Sequence, residues 1–305
     1  MPAPVGDHDT GAGAICEYGN LGMDSDMGTT RFRPILRECL GTLHREWKVA
    51  LTPVPRPEKW VFIVGCYNSG TTLLAELMGR HPAISALPTE GYFITDGFVK
   101  DYEIGLPRMW VEREDLFRLT EVDQGPDPVR IKKEWGMRLD LSRPVLLEKS
   151  PPNGARTRWL QRHFERAHFI GIVRNGYAVA EGITRKGDPQ HMRHGWPIEM
   201  SAYQWRRANE VLEDDRPHLN RFRWVRYEDL TEDPVGVLNE ITGFLDIEGF
   251  PRAAADRAWS IHERRERIRN MNQESIDRLT PGQIRRINQV AGEMLRRFGY
   301  EVLSA

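Results

Sequence analysis

The chain lacks an excess of charge of either sign. Its 43 lysines and arginines meet 44 aspartates and glutamates, a formal net charge of -1 over 305 residues. Nucleic-acid binders carry a positive surplus, so no nucleic-acid partner is expected. Cysteine is scarce. Cys16, Cys39 and Cys66 stand far apart, without the C-x-x-C spacing of a zinc site and too few for a disulfide framework. They read as reduced, mostly buried thiols. No apolar run approaches the roughly 18 residues of a membrane span. The opening MPAPVGDHDT has neither the basic nor the apolar segment of a secretory signal. The expected compartment is therefore cytoplasmic. No metal-ligand cluster and no internal repeat stands out.

What is present is a globular composition, 40% hydrophobic and 29% charged. Residues 1–28 are rich in Gly, Asp and Met, lack periodicity, and read as a flexible tail. Residues 29–58 hold a helix and a linker. Phe32, Ile35, Leu36, Leu40, Leu43 and Trp47 share one helical face, and TPVPRP at 52–57 breaks it. Beyond that, β-prone runs alternate with helical patterns. The runs are Trp60–Val64, Val145–Leu147, His168–Val173 and Phe222–Val225. Apolar residues mark helices around 73–78, 159–164, 237–245 and 284–298. Such alternation predicts an α/β fold, a parallel sheet flanked by helices in three layers. Ligands of such sheets bind beyond the carboxyl ends of the strands. Residues 97–143 are polar and weakly periodic, and read as a partly helical insertion.

The segment after the first run is VFIVGCYNSGTTLLAELMGRHP. Gly65 and Gly70 stand five apart, as in a phosphate-binding loop. Glycines let successive backbone N–H groups turn toward an anion, and the helix starting near Thr71 adds unpaired N–H groups and a positive dipole end. Ser69, Thr71 and Thr72 supply hydroxyls. Thr71 occupies the place of the lysine that a nucleoside-triphosphatase needs, so the loop suits a 5′-phosphate or a sulfonate better than a triphosphate.

Asn68-Ser69-Gly70-Thr71-Thr72-Leu73-Leu74, with His81-Pro82 after it, resembles the 5′-phosphosulfate loop of sulfotransferases that use 3′-phosphoadenosine 5′-phosphosulfate (PAPS). The tyrosylprotein-like and bacterial branch is the most similar. Three further segments fit the same family: Glu148-Lys149-Ser150-Pro151, Arg174-Asn175-Gly176, and Arg226-Tyr227-Glu228-Asp229-Leu230. The resemblance spans about residues 59–301. It implies a P-loop NTPase-like fold over 59–305, with the insertion near 97–143 shaping the acceptor pocket. It also implies sulfonate transfer from PAPS, leaving 3′,5′-ADP, to a hydroxyl or amine of a small-molecule, lipid, glycan or peptide acceptor. Asn68, Ser69, Gly70, Thr71 and Thr72 would hold the phosphosulfate, and Lys149 would stabilise charge on the bridging oxygen. Arg174 would bind the 3′-phosphate and Tyr227 the nucleotide.

Other residues keep two readings. Glu90 is either the base that deprotonates the acceptor or the cap of a helix beginning at Gly91. Lys149 taken alone could be a surface lysine. Glu228 and Asp229 read as capping and ordering the helix that follows them rather than as chemical groups. Arg264, Arg265 and Arg267 are either a late basic loop over the 3′-phosphate, with Arg265 the candidate contact, or a solvated helix face. His191 and His194 read as loop surface or acceptor contacts.

Two departures stand out. The family's loop cation is replaced by Asn68, and its serine eight residues after Arg174 by Gly182. Thr184 or Lys186 could stand in for the serine, and Lys149 or another basic residue for the cation. The rival functions are a P-loop small-molecule kinase and a non-catalytic nucleotide-binding relative.

Overall fold

The computed structural model describes residues 41–187, 195–250, 260–261, 264–265 and 268–304. The expected tail, residues 29–40, Cys16, Cys39, His191, His194 and Arg267 lie outside them. A helix, α1, runs over the described residues 41–51. Leu51–Ala305 pack as one compact unit.

Five parallel strands form the sheet in the order β2-β3-β1-β4-β5. They are β1 Lys59–Val64, β2 Ile84–Ala86, β3 Val145–Lys149, β4 Ala167–Val173 and β5 Phe222–Arg226. The four strands expected from the sequence lie within one or two residues of these bounds. β2 was not expected, since three residues are too few to show alternation.

β1 lies at the centre, and its side chains divide by parity. Trp60, Phe62 and Val64 join Trp135, Phe164 and Phe169 on one face, while Val61 and Ile63 join Leu74, Leu77, Ile170 and Ile172 on the other. The first face is aromatic: the Phe62 and Phe169 rings stack at 5.4 Å and Phe164 meets Trp60 edge-on at 5.1 Å. Burial on both faces explains the unbroken apolar run, as in parallel sheets generally. The aromatic face is covered by α5 (Pro128–Gly136) and α6 (Thr157–His163). The aliphatic face is covered by α2 (Thr71–Met78) and α10 (Pro234–Phe244). The resulting three layers match the expected fold class.

A further core joins α7 (Gly176–Arg185), α8 (Ile198–Asp215) and α12 (Pro281–Arg297) around Trp205, Ile287 and Leu295. The 18-residue α8 was not among the expected helices. Its charged face, including Arg206, Arg207 and Glu210, dilutes the apolar stripe formed by Ile198, Ala202, Trp205 and Leu212.

The insertion is partly helical as expected, with α3 (Gly91–Ile94) before it and α4 (Glu114–Phe117) and α5 within it. Buried Asp215 at the end of α8 ties it down. Its carboxylate accepts from both guanidinium nitrogens of Arg118, one at 2.7 Å, and from the Thr157 hydroxyl at 2.6 Å.

Candidate active site

β1 pairs with β3 on one side and β4 on the other. Chain order reverses there, and the crevice at their carboxyl ends is where an open α/β sheet binds ligands. A cavity of about 480 Å³ opens at that point.

The loop from Gly65 to Gly70 forms its floor. A Cβ on Gly65 would lie 2.4 Å from the Ile172 carbonyl oxygen, so only glycine lets the loop leave the sheet so close to β4. Gly70 has φ +97° and precedes α2 with no side-chain cap. By contrast, α5, α7, α10 and α12 are capped by Asp127, Asn175, Asp233 and Thr280. The first turn of α2 leaves its N–H groups for a ligand, and Gly70, Thr71, Thr72 and Leu73 line the cavity. Ser69 is buried and its hydroxyl has no protein partner.

Lys149 ends β3 beside the crevice and lines an adjoining cavity that shares Thr72 with it. Its ammonium donates to Thr72 Oγ1 at 3.0 Å and to Glu90 Oε1 at 2.7 Å. This is no solvated surface lysine, since its side chain is 10% exposed. Glu90 does occupy the N-cap position of α3, but its side chain makes no cap hydrogen bond. The Gly91 amide is satisfied instead by Glu148 Oε1 at 2.9 Å. Glu148 is fully buried and also accepts from the Ser150 hydroxyl and from Asn153 Nδ2. Burial pushes its carboxyl up to about 7. One carboxylate thus anchors the helix start, and the one on the adjoining loop is free to face Lys149 and the cavity.

Arg174 follows β4. It donates to Asn272 Oδ1 at 2.7 Å and to the Asn68 carbonyl at 2.9 Å, and its guanidinium carbon lies 4.3 Å from the Tyr227 ring centre. Its remaining nitrogen, Nη2, is buried without a partner. Desolvation lowers its pKa. Tyr227 sets Cδ2 and Cε2 of its ring against Gly70, while its hydroxyl donates to the Arg269 carbonyl and accepts from the Met271 amide, both at 3.3 Å.

Glu228 corrects an expectation. It does not cap the helix that follows β5, α9 (Tyr227–Glu232), but accepts from the Asn175 amide at 3.0 Å, from Asn272 at 2.6 Å and from the Tyr300 hydroxyl at 3.0 Å. It therefore binds the end of β4, the start of α11 (Asn272–Ile276) and the C-terminal segment into one frame beneath Arg174.

Of the residues proposed to replace the missing serine, Thr184 bonds Ser201 on α8 at 2.8 Å and does not line the cavity, whereas Lys186 does. Desolvation and the cations Arg108, Arg185 and Arg174 lower the Lys186 pKa. Arg264 and Arg265 form strand β7, paired antiparallel with β6 (Ser260–Ile261) rather than lying on a helix; their side chains are outside the described residues. Cys66 is a buried free thiol, and desolvation raises its pKa. No group of three or more His, Cys, Asp or Glu side chains among the described residues is placed to hold a metal.

The insertion contributes residues that sequence reasoning missed. Buried Asp101 accepts from the Tyr67 hydroxyl at 2.7 Å, the Tyr92 hydroxyl at 3.2 Å and the Arg108 amide at 2.7 Å. Arg108 reaches the loop itself. Nothing short-range in the sequence signals either residue, because the loop residues they touch lie 34 and 40 positions away.

Residues 61–252 match the sulfotransferase family. The chain belongs to that family. Two of the solved structures that share its fold are bacterial sulfotransferases. The sulfotransferase domain of the Synechococcus PCC 7002 olefin synthase is 21% identical over 81% of this chain and 96% of that one, with a TM-score of 0.53. Sulfotransferase STF9 from Mycobacterium avium is 17% identical over 87% of this chain and 82% of that one, with a TM-score of 0.52. No curated protein matches the chain. In this sulfotransferase, the family-like segments end β1, β3, β4 and β5 at one crevice. No helix among the described residues is long and apolar enough to cross a membrane.

Proposed function

We propose that this sulfotransferase moves the sulfonate of PAPS to a hydroxyl or amine of its acceptor, with the named crevice residues as its machinery. The observation that carries the reading is a set of unpartnered buried donors around the loop. Ser69 Oγ, Asn68 Nδ2 and Arg174 Nη2 are all buried without protein partners. Such groups are costly unless a ligand accepts from them, and a phosphate or sulfonate has the oxygens to do so.

PAPS supplies an activated sulfonate on a phosphate leaving group. Ser69, Gly70, Thr71 and Thr72 bind its 5′-phosphosulfate through amides and hydroxyls. Arg174, stacked on Tyr227, holds the 3′-phosphate with its spare guanidinium edge. Lys186, which lines the cavity with Arg174, adds positive charge there, and Arg265 remains the late basic contact that the family resemblance implies. Glu90 takes the proton of the acceptor as the new S–O or S–N bond forms, and Lys149 balances the charge left on the departing phosphate oxygen. The 2.7 Å contact between these two fixes the base and the cation side by side. Residues 97–143 shape the acceptor pocket through Asp101, Tyr102, Pro107 and Arg108. A cytoplasmic setting belongs to this reading and is supported by the low cysteine content.

Titration with 3′,5′-ADP and with ATP tests the reading. The expected result is tight binding of 3′,5′-ADP, weak binding of ATP, and loss of the former in Arg174→Ala. Labelled PAPS with pooled acceptors then reports transfer. A chain that binds magnesium-ATP and not 3′,5′-ADP is a kinase and not this enzyme.

A further inference from the structure

Asn68 leaves the phosphosulfate loop one positive charge short, and the structure shows where a substitute stands. Arg108 donates from Nη1 to Asn68 Oδ1 at 3.0 Å, while Arg174 donates to the carbonyl of the same residue at 2.9 Å. One asparagine thus holds two guanidinium groups, one through its side chain and one through its backbone. Arg108, Arg174 and Lys186 all line the cavity. The only side-chain hydrogen bond of Arg108 among the described residues goes to that neutral amide.

The placement of Arg108 is built in. Its φ of +63° is unusual for a residue other than glycine. Its amide bonds buried Asp101, which also takes the hydroxyls of Tyr67 and Tyr92. Burial and the Asp101 charge raise the Tyr67 pKa, so that hydroxyl remains a donor. Tyr67 and Asn68 are consecutive. The loop therefore grips the insertion twice, through Asp101 to the Arg108 backbone and through Asn68 to the Arg108 side chain. Gly182 belongs to the same arrangement, since a Cβ there would come within 3.3–3.4 Å of the Asn68 side chain. The two departures from the family pattern touch each other.

Resting on the reading above, we infer that Arg108 is the cation of the phosphosulfate site, carried by the insertion and held in place by Asn68. Its guanidinium faces the sulfonate and 5′-phosphate end of the donor. Because the same insertion lines the acceptor pocket, the charge that activates the donor is fixed by the segment that receives the acceptor.

The test compares two ligands in three proteins. Wild type, Arg108→Met and Arg108→Lys are titrated with 3′,5′-ADP and with adenosine 3′-monophosphate, which lacks the 5′-phosphate, and melting temperatures check folding. The expected result is a loss of about tenfold or more in 3′,5′-ADP affinity for Arg108→Met, little change for adenosine 3′-monophosphate, and partial recovery in Arg108→Lys. Asn68→Lys placed on Arg108→Met should restore 3′,5′-ADP affinity, because it returns the charge to the loop. Equal weakening of both ligands makes Arg108 a structural strut and overturns the inference, as does unchanged 3′,5′-ADP affinity. If wild type binds neither ligand, the donor assignment itself fails, and the inference with it.

Discussion

Gly70→Ala measures how tightly the anion loop is built. The loop geometry imposes two separable costs on this substitution. At φ +97° an alanine is in a left-handed conformation, which costs about 1–2 kcal/mol. Its Cβ would also lie 2.7 Å from Tyr227 Cδ2, with Ile172 Cδ1 at 3.4 Å behind it. The Tyr227 ring is stacked on Arg174 and its hydroxyl is bonded to the 269–271 backbone, so it cannot swing away cheaply. Overpacking of this kind adds about 1–3 kcal/mol. The expected total is about 2–5 kcal/mol, read by urea denaturation. Gly105 supplies the control. It has φ +74°, but a Cβ there meets nothing within 4 Å, so Gly105→Ala should show the conformational cost alone. Relief of the clash must also move the loop or the Tyr227–Arg174 stack, so 3′,5′-ADP affinity should fall about tenfold or more in Gly70→Ala and stay near wild type in Gly105→Ala. Equal destabilisation by the two alanines, with nucleotide binding intact in both, would refute the close approach.

Glu90→Gln should lower kcat by about 10²–10⁴-fold while 3′,5′-ADP binding stays near wild type, as removal of a base predicts; an unchanged kcat would return Glu90 to a structural role. Lys149→Met should also lower kcat, because the departing oxygen loses its fixed charge, and single-turnover transfer from labelled PAPS reads both variants. Glu148 gives a pH dependence with a defined sign. Its folded pKa of about 7 lies above the ordinary 4.5, so its stabilising contribution is full below pH 4.5 and is lost as pH rises through 7. The difference between wild type and Glu148→Gln in urea melts should shrink by about 3 kcal/mol across that window. A difference independent of pH would show that Glu148 does not titrate there.

Strand positions, the glycine-hinged loop and the basic residues after β3 and β4 were legible because each is a local pattern: burial on both faces, a turn at the end of a strand, a helix start. Even so, β2 was too short to carry a pattern, and the charged face of α8 masked its stripe. Glu90 was legible as a candidate but not as a choice, because a glutamate before a helix start has the same sequence whether it caps or not. Glu148, 58 residues away, takes the Gly91 amide and so removes the capping reading, which leaves Glu90 beside Lys149. Glu228 likewise looked like a helix residue and turned out to join three segments.

What the sequence determined by itself, then, is the alternation of helices with four of the five strands and the residue types that stand at the carboxyl ends of those four. Tertiary structure alone decided the charge of the site. Asn68 reads as a lost cation along the chain. In space it carries Arg108 on its side chain and Arg174 on its backbone, packed against Gly182. Electrostatic complementarity depends on distance through space, and the fold brings residues 40 and 106 positions from Asn68 to within a hydrogen bond of it.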